Sequence, residues 1–322
     1  MSNQGAARPF ANVAIVLGGG VREALMAQAV LRACDGATVF ASADAVGTMI
    51  GLAEVGRSVV LEHTASELIR LFSRLRTGPY TTAVVPYPAR FAHAAAAYFA
   101  GVPRRLVVGG AQDWAVSERT PRLDDLHPVE ANWRLALTVT HRPMRAVGEA
   151  PEIVPPEAVR RQTATRWSSV FGGHRPLILI PGGGGWSSMR HGSMWPAERF
   201  AVVANQAPAE RIVLLNGHGD QRQIRETRAG IVKPTTVIDV ADLTVEELAA
   251  ISELSLAVIG HDGDALHVAA AAGALVLAIG RRPDIPPMGA RVVACWVEDY
   301  ERYPARQLLG ILAAQARIDS YA

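Results

Sequence analysis

Polar side chains cluster at three points of the chain where a short apolar run ends. The clearest cluster is His261, Asp262, Asp264 and His267, which follows the apolar run Leu256–Gly260. An alanine-rich run and a second apolar run come next, so this segment predicts a strand, a helix and another strand. Open α/β sheets bind ligands where strands end, because helix N-termini carry free N–H groups and partial positive charge. The pattern favours an anionic ligand such as a nucleotide diphosphate.

A metal ion is the first alternative for this cluster, since two histidines and two aspartates lie within seven residues. A loop at a strand end spreads such side chains in different directions, and the sequence offers no second cluster of ligands. We therefore expect no metal, and we expect His267 and the helix N–H groups to hold a phosphate. The alternative for His267 is a buried histidine at a helix start that is bonded to backbone.

A second polar loop follows the apolar run PLILI and contains four consecutive glycines. We predict that Gly182, Gly183, Ser187, Ser188 and Arg190 bind an anion there. Backbone N–H groups, hydroxyls and a guanidinium together suit a phosphate. The loop lacks the Gly-Lys-Ser/Thr of a nucleoside triphosphate loop. The alternative is a flexible surface loop.

The first glycine-rich loop, Gly18–Gly20, follows the apolar run Val13–Leu17 and precedes Arg22 and Glu23. The dinucleotide fingerprint would place its third glycine where Glu23 stands, and a carboxylate there would repel a pyrophosphate. The loop therefore argues against a nicotinamide dinucleotide. Glu23 has two interpretations: an acidic residue that suits the positive end of a helix, or a general base.

Four further residues are weaker candidates. Asp220 follows an apolar run, and it could accept from ribose hydroxyls or cap a helix. Trp186 could stack on a base or pack in the core. Arg104 and Arg105 could line a cleft, although a solvated pair is the simpler interpretation. The sequence contains no Gly-x-Ser-x-Gly motif and no Ser-His-Asp or Cys-His pattern.

Composition sets the class of protein. The chain has 322 residues, of which 49% are hydrophobic and 19% charged, enough to bury two cores of ordinary size. The net charge of +2 and the scattered arginines argue against a nucleic-acid partner. Cys34 and Cys295 fit neither a metal site nor a disulfide framework. Without an apolar run of roughly 18 residues or a signal peptide, we expect a cytoplasmic protein. A peripheral contact with the inner membrane is left open.

Strand-like and helix-like runs alternate along both halves of the chain, which predicts parallel sheets with helices on both faces. We expect an N-terminal domain over residues 1–150 and a C-terminal domain over residues 175–322. A proline-rich linker over residues 151–174 would join them, with a helix inside it. Thr244, with Glu247 three residues on, predicts a capping box at the start of a helix.

Four motifs in one order resemble glycosyltransferase family 9, the ADP-heptose:lipopolysaccharide heptosyltransferases. The C-terminal signature stands at Asp262–Gly273, a Trp-Pro-x-Glu-Arg-Phe motif at Trp195–Phe200, a His-x-Val-Glu-x-Asn helix at His127–Asn132, and the opening glycine loop and helix at Gly18–Ala33. The resemblance spans nearly the whole chain. It implies the GT-B fold, with two Rossmann-like, doubly wound domains that face each other across a cleft.

The resemblance also implies an inverting transfer of a sugar from a nucleotide-diphospho-sugar, ADP-heptose in that family, to an acceptor hydroxyl. Glu23 falls on the family's catalytic aspartate and becomes the candidate base, and Gly19, Gly20 and Arg22 become an acceptor loop. The donor would be bound by Gly182, Gly183, Ser187, Ser188, Arg190, Asp220, Asp262, Gly263 and His267. The resemblance implies no metal and no cofactor besides this co-substrate. The acceptor could be a glycan, a lipid-linked molecule, a protein or a small molecule.

The chain departs from the family pattern at several positions. Ser193 stands where the family has lysine, and Gly263 and Asp264 replace a hydroxyl residue and a glycine. Two alternatives therefore stay open: a nucleotide-sugar epimerase of the same fold, and a catalytically silent protein that binds a sugar nucleotide. An oxidoreductase ranks last, because Glu23 breaks the dinucleotide fingerprint.

Overall fold

Two six-stranded parallel sheets organise the chain, one in each of two compact units, Met1–Pro151 and Glu152–Ala322. The computed structural model describes residues 9–49, 56–61, 66–88, 90–109, 114–121, 126–141, 149–182, 195–217, 221–261, 263–280, 287–296 and 305–319. The predicted α/β class with two Rossmann-like halves is confirmed.

The first sheet has the strand order β3-β2-β1-β4-β5-β6, with every pair parallel. The chain starts in the middle of the sheet and reverses its direction of growth between β1 and β4. This creates a topological switch point, the place where such sheets bind ligands. Its elements are β1 (Val13–Val16), α1 (Val21–Met26), α2 (Gln28–Ala33), β2 (Thr38–Ala41), α3 (Ala43–Met49), β3 (Arg57–Val60), α4 (Glu67–Thr77), β4 (Thr82–Val85), α5 (Phe91–Phe99), β5 (Arg104–Val108), β6 (Glu118–Thr120) and α6 (Pro128–Thr140).

The second sheet repeats this topology with the order β12-β11-β10-β7-β8-β9 and a switch point between β7 and β10. Its elements are α7 (Glu157–Phe171), β7 (Leu177–Ile180), α8 (Ala197–Gln206), β8 (Arg211–Leu215), α9 (Gln221–Gly230), β9 (Thr236–Val240), α10 (Val245–Glu253), β10 (Ala257–His261), α11 (Asp264–Ala271), β11 (Val276–Gly280), β12 (Val292–Trp296) and α12 (Ala305–Asp319).

The central strands are continuous apolar runs because helices cover both faces of each sheet. All four residues of β1 and of β7 are buried. The predicted ligand loops after β1 and β7 therefore follow fully buried strands, which give the loops a rigid base.

The structure differs from the sequence-based prediction in local detail. The helix expected after the first glycine loop is broken at Ala27 into α1 and α2. Helix α3 and strand β6 were not predicted. The capping box is confirmed, since Thr244 Oγ1 accepts from the Glu247 N–H at 3.2 Å and the Glu247 carboxylate accepts from the Thr244 N–H at 3.0 Å.

The stretch over residues 151–174, predicted as a linker, contains helix α7, which belongs to the second unit. Its Trp167 and Phe171 are buried and stacked, with ring centroids 5.5 Å apart. Arg160 donates from two guanidinium nitrogens to both carboxylate oxygens of Glu253 on α10. Among the described residues, no helix has the length and apolarity that a membrane span requires.

Candidate functional site

Glu23 lies in the first turn of α1, directly after the glycine loop that follows β1. Its Oε2 accepts from the Gly20 N–H at 3.0 Å, one of the N–H groups that the helix itself leaves without a partner. Gly20 has no side chain that could return this bond, so only half of a capping box forms. The Glu23 carboxylate therefore lies at the N-terminal end of α1, beside the switch point of the first sheet.

Arg22 lies beside this carboxylate, and its Nη2 is 3.3 Å from Glu23 Oε1. The Glu23 side chain is 16% exposed and the Arg22 side chain 31% exposed, so both remain open to solvent. Each carboxylate oxygen has two lone pairs, which leaves room for one more donor. The group is thus anchored at two points and can still accept a hydroxyl proton.

Packing explains the first two glycines of the loop. A Cβ at Gly19 would lie 2.5 Å from Glu23 Oε2, and one at Gly18 would lie 3.0 Å from the His93 ring. Ser42 Oγ also donates to the Gly19 carbonyl at 3.3 Å. The structure therefore brings the predicted acceptor loop, Gly19, Gly20 and Arg22, around the candidate base.

Asn132 on α6 connects the two segments that flank this loop. Its Nδ2 donates to the Met26 carbonyl and to the Tyr87 carbonyl, both at 3.0 Å, and its Oδ1 accepts from the Tyr87 N–H at 2.7 Å. The break at Ala27 makes this possible, because the Val30 N–H bonds to Ala27 and leaves the Met26 carbonyl to the amide. The fully buried Asn132 thereby fixes the end of α1 to the loop after β4.

The polar side chains of His93 and Glu67 form a pair close to the glycine loop. His93 on α5 is buried, and its Nε2 is 3.2 Å from Glu67 Oε1 on α4. Sequence analysis gave no role to either residue, and it named Asn132 only as part of a motif. The available signal was a single histidine in an otherwise apolar, alanine-rich helix, where a polar group needs a partner.

In the second unit, β7 leads into Pro181 and Gly182, where the described residues break off until Trp195. Trp195 is buried, and its backbone N–H donates to His261 Nε2 at 3.1 Å. His261 is the last residue of β10 and is buried, so it is not the loop residue that sequence analysis expected. Its Nε2 is occupied by this bond and is not open to a metal ion.

Gly263 is the N-cap of α11 and has no side chain, and its carbonyl accepts from the Leu266 N–H at 3.0 Å. Asp264 and His267 lie three residues apart on the buried face of this helix. The first turn of α11 thus lies at the switch point of the second sheet and contains a carboxylate and a histidine. The Asp264 carboxylate makes this helix start less favourable for an anion, because two negative charges would repel each other.

Several predicted site residues lie outside the described part of the chain: Gly183, Trp186, Ser187, Ser188, Arg190, Asp220 and Asp262. Of the predicted donor site, the structure describes Gly182, Gly263 and His267. Within the described residues no group of three or more His, Cys, Asp or Glu side chains could hold a metal ion.

Arg104 and Arg105 are partly exposed, and both guanidinium groups are hydrogen-bonded within the first unit. Both lie in β5, and Arg104 donates from Nε and Nη2 to the two carboxylate oxygens of Glu118 on β6. This bond raises the pKa of Arg104 and lowers the pKa of Glu118. Arg105 donates to the Val102 and Ala115 carbonyls.

A family model described as glycosyltransferase family 9 (heptosyltransferase) matches residues 68–311. The structure is similar to that of E. coli ADP-heptose lps heptosyltransferase II, at 18% identity over 96% of this chain and 99% of that chain, with a TM-score of 0.77. It is also similar to a glycosyl transferase family 9 protein from Veillonella parvula (16% identity, 94% and 96% coverage, TM-score 0.76). E. coli heptosyltransferase WaaC with ADP has 14% identity, 94% and 99% coverage and a TM-score of 0.67. No curated protein sequence matches the chain.

Proposed function

The chain belongs to glycosyltransferase family 9, and from this premise we propose that it transfers a sugar from a nucleotide-diphospho-sugar to an acceptor hydroxyl. The observation that carries the proposal is the Glu23 carboxylate at the start of α1, which is held by the Gly20 N–H and is 16% exposed. We propose ADP-heptose as the donor, because one similar structure is that of an ADP-heptose lps heptosyltransferase and another is of a heptosyltransferase with ADP.

Glu23 would act as the general base. A carboxylate oxygen takes the proton of the acceptor hydroxyl while the hydroxyl oxygen attacks C1 of the sugar. The bond between C1 and the diphosphate oxygen breaks, its electron pair leaves with the nucleotide diphosphate, and the anomeric centre inverts. The Gly20 N–H holds the carboxylate in place for this step, and much of the rate acceleration comes from positioning the two substrates.

The start of α11 would stabilise the leaving nucleotide diphosphate. The positive end of the α11 dipole at Gly263 would face the negative charge that develops on the phosphate oxygen. The loop that begins at Gly182 and the imidazole of His267 would complete this part of the site. No step in this mechanism requires a metal ion.

The experiment is an assay of ADP release from ADP-heptose with candidate acceptors, on the wild type and on Glu23→Gln. We expect Glu23→Gln to lower kcat about a hundredfold to ten-thousandfold and to leave donor binding intact, because the amide keeps the shape and loses the base. Glu157→Gln is the matched control, since Glu157 is also an acidic residue in a first helical turn, but its side chain is 67% exposed on α7. Equal turnover by Glu23→Gln and the wild type would remove Glu23 from the mechanism.

One observation favours a second candidate function, a protein that binds a sugar nucleotide without transferring the sugar. Asp264 puts a buried carboxylate into the first turn of α11, where the diphosphate would lie. This candidate predicts donor binding with no turnover for any acceptor, and no difference between the wild type and Glu23→Gln in any assay.

A further inference from the structure

Three consecutive glycines form the backbone segment that holds Glu23. Gly18, Gly19 and Gly20 have no side chains that could restrain this glycine loop, and glycine has more backbone freedom than any other residue. The Gly20 N–H nevertheless donates to Glu23 Oε2 at 3.0 Å, which requires the loop to keep one conformation. Side chains from neighbouring elements must therefore fix the loop from outside.

Ser42 and His93 contact the glycine loop from neighbouring elements. Ser42 Oγ donates to the Gly19 carbonyl at 3.3 Å. The His93 ring packs against Gly18, where a Cβ would lie 3.0 Å from both Cε1 and Nδ1 of the ring and 3.2 Å from Arg90 Cγ. The first residue of the loop is therefore in direct contact with the imidazole, and a shift of this ring would leave it without that support.

Helix α5 places His93 at the glycine loop. The residue lies in the first turn of this helix, whose sequence is FAHAAAAYF, and its side chain is 2% exposed. A buried polar group in such apolar surroundings costs free energy unless it is hydrogen-bonded. A small apolar side chain at this position would avoid that cost, so the stability of the helix alone does not explain the imidazole.

Glu67 on α4 orients this ring. Its Oε1 is 3.2 Å from His93 Nε2, and its side chain is 13% exposed. An ionised carboxylate can only accept hydrogen bonds, so Nε2 carries the proton and donates it, while Nδ1 lies on the side of Gly18. Helices α4 and α5 are packed together, since Leu71 and Ala94 belong to one core cluster. A hydrogen bond between two packed helices therefore fixes the plane of the ring.

Resting on the transferase function proposed above, we propose that His93 is a positioning residue for sugar transfer and that Glu67 orients it. At 2% exposure the ring is closed off from solvent and does not touch a substrate. It acts through Gly18, which it keeps in the conformation from which the Gly20 N–H holds the Glu23 carboxylate. Displacement of a catalytic group by about 1 Å can cost a hundredfold in rate. A buried polar pair adds little stability by itself, whereas the transfer requires a fixed base.

Hydrogen–deuterium exchange of the peptide over residues 17–23 tests the support of the loop without any substrate. We expect His93→Ala to speed exchange there about tenfold or more, because the loop opens when the ring no longer packs against it. Leu75→Ala is the matched control, since it also removes a buried side chain from the packed helices. Leu75 lies about 12 Å further along α4 than Glu67, so this variant should speed exchange in the two helices and leave the loop unchanged.

The comparison of these two variants decides whether the effect is local. Both create a cavity between the same helices, so a general loss of stability would affect them alike. Unchanged exchange of the glycine loop in His93→Ala, or equal acceleration of the loop in Leu75→Ala, would overturn the proposal.

Two further variants separate the hydrogen bond from the ring, and they keep the test open if His93→Ala does not fold. His93→Gln keeps a side-chain N–H that can reach Glu67, so its loop exchange should stay within about threefold of the wild type. Glu67→Ala keeps the ring and removes its acceptor, and it should speed exchange of the loop by more than about threefold. Wild-type exchange in Glu67→Ala would contradict the orienting role of Glu67.

Turnover tests the consequence for the transfer. We expect His93→Ala to lower kcat for ADP release about tenfold to a hundredfold, because the base is displaced. The donor Kd should not change, since the predicted donor residues belong to the second unit. Leu75→Ala should keep a kcat close to that of the wild type. Full kcat in His93→Ala would overturn the positioning role.

The two measurements also distinguish this proposal from the proposed function. A wild type that transfers no sugar to any acceptor, together with faster loop exchange in His93→Ala, would contradict the proposed function and support the contact between His93 and the loop. An active wild type whose loop and kcat are both insensitive to His93→Ala would do the reverse.

Discussion

At the scale of single residues, the contacts of Glu23 distinguish a structural carboxylate from one that is available for chemistry. Its bond to the Gly20 N–H is the ordinary role of an acidic residue at a helix start. The contact with Arg22 and the 16% exposure of the side chain leave it accessible as well as anchored. The sequence supported both interpretations of Glu23, and the structure shows that they are compatible, since the bond that stabilises the helix also orients the carboxylate.

The first prediction concerns Gly19, which packs directly against the Glu23 carboxylate. A Cβ at position 19 would lie 2.5 Å from Glu23 Oε2, so Gly19→Ala must displace the carboxylate. We expect at least a tenfold loss of glycosyl transfer, measured as ADP release, with donor binding unchanged. Gly47→Ala is the control, because a Cβ there meets nothing within 4 Å. Normal turnover by Gly19→Ala would show that the position of Glu23 is not critical.

At the scale of elements, α6 fixes α1 to the loop after β4 through a single amide. Asn132 makes three hydrogen bonds to backbone groups, and it is fully buried. The motif at His127–Asn132 identified this residue, but a sequence cannot show which backbone groups the amide meets, because they lie 45 and 106 positions away along the chain. The sequence also did not predict the break at Ala27, because the helical periodicity continues through this residue.

We predict that Asn132→Leu lowers the free energy of unfolding by about 3 kcal/mol, since it leaves buried backbone groups without partners. Urea unfolding measures this loss. Asn205→Leu is the comparison, because Asn205 also makes three bonds to backbone but does so near solvent, where water replaces them, and should cost about 1 kcal/mol. Equal losses in the two variants would contradict the role given to Asn132.

The ion pair between β5 and β6 predicts a pH dependence of stability. Arg104 lowers the pKa of Glu118 in the folded state, so the folded protein binds this proton less readily than the unfolded chain does. The stabilisation is therefore present above the ordinary glutamate pKa of about 4.3 and is lost as the pH falls through the lowered pKa.

Unfolding of the wild type and Glu118→Gln, followed between neutral and acidic pH, tests this sign. The two should differ at neutral pH and converge in acid. Glu226→Gln is the control, because its pair with Arg222 lies at the surface, with the two side chains 43% and 83% exposed, and should contribute little at any pH. A difference that grows in acid would contradict the assignment.

At the scale of the whole molecule, the sequence predicted the architecture better than it predicted the site. Buried runs such as VAIV and LILI, alternating with amphipathic helices, specify two doubly wound sheets through local patterning alone. Strand β6 escaped prediction because Glu118-Arg119-Thr120 is short and polar and lies at the edge of its sheet. The pairing of Asn132, His93 and Glu67 depends on long-range packing, which no local pattern encodes.

The central claim, that the second unit binds a nucleotide-diphospho-sugar of adenosine, is tested most directly by a thermal-shift panel. The panel contains ADP, ADP-heptose, UDP, GDP and NADH. A ligand that binds only the folded chain raises the melting temperature, by about 5 °C at roughly a hundredfold excess over its Kd. We predict that ADP and ADP-heptose stabilise the chain more than UDP, GDP or NADH does. A preference for UDP or GDP would change the donor, and no response to any of the five would contradict the proposed function.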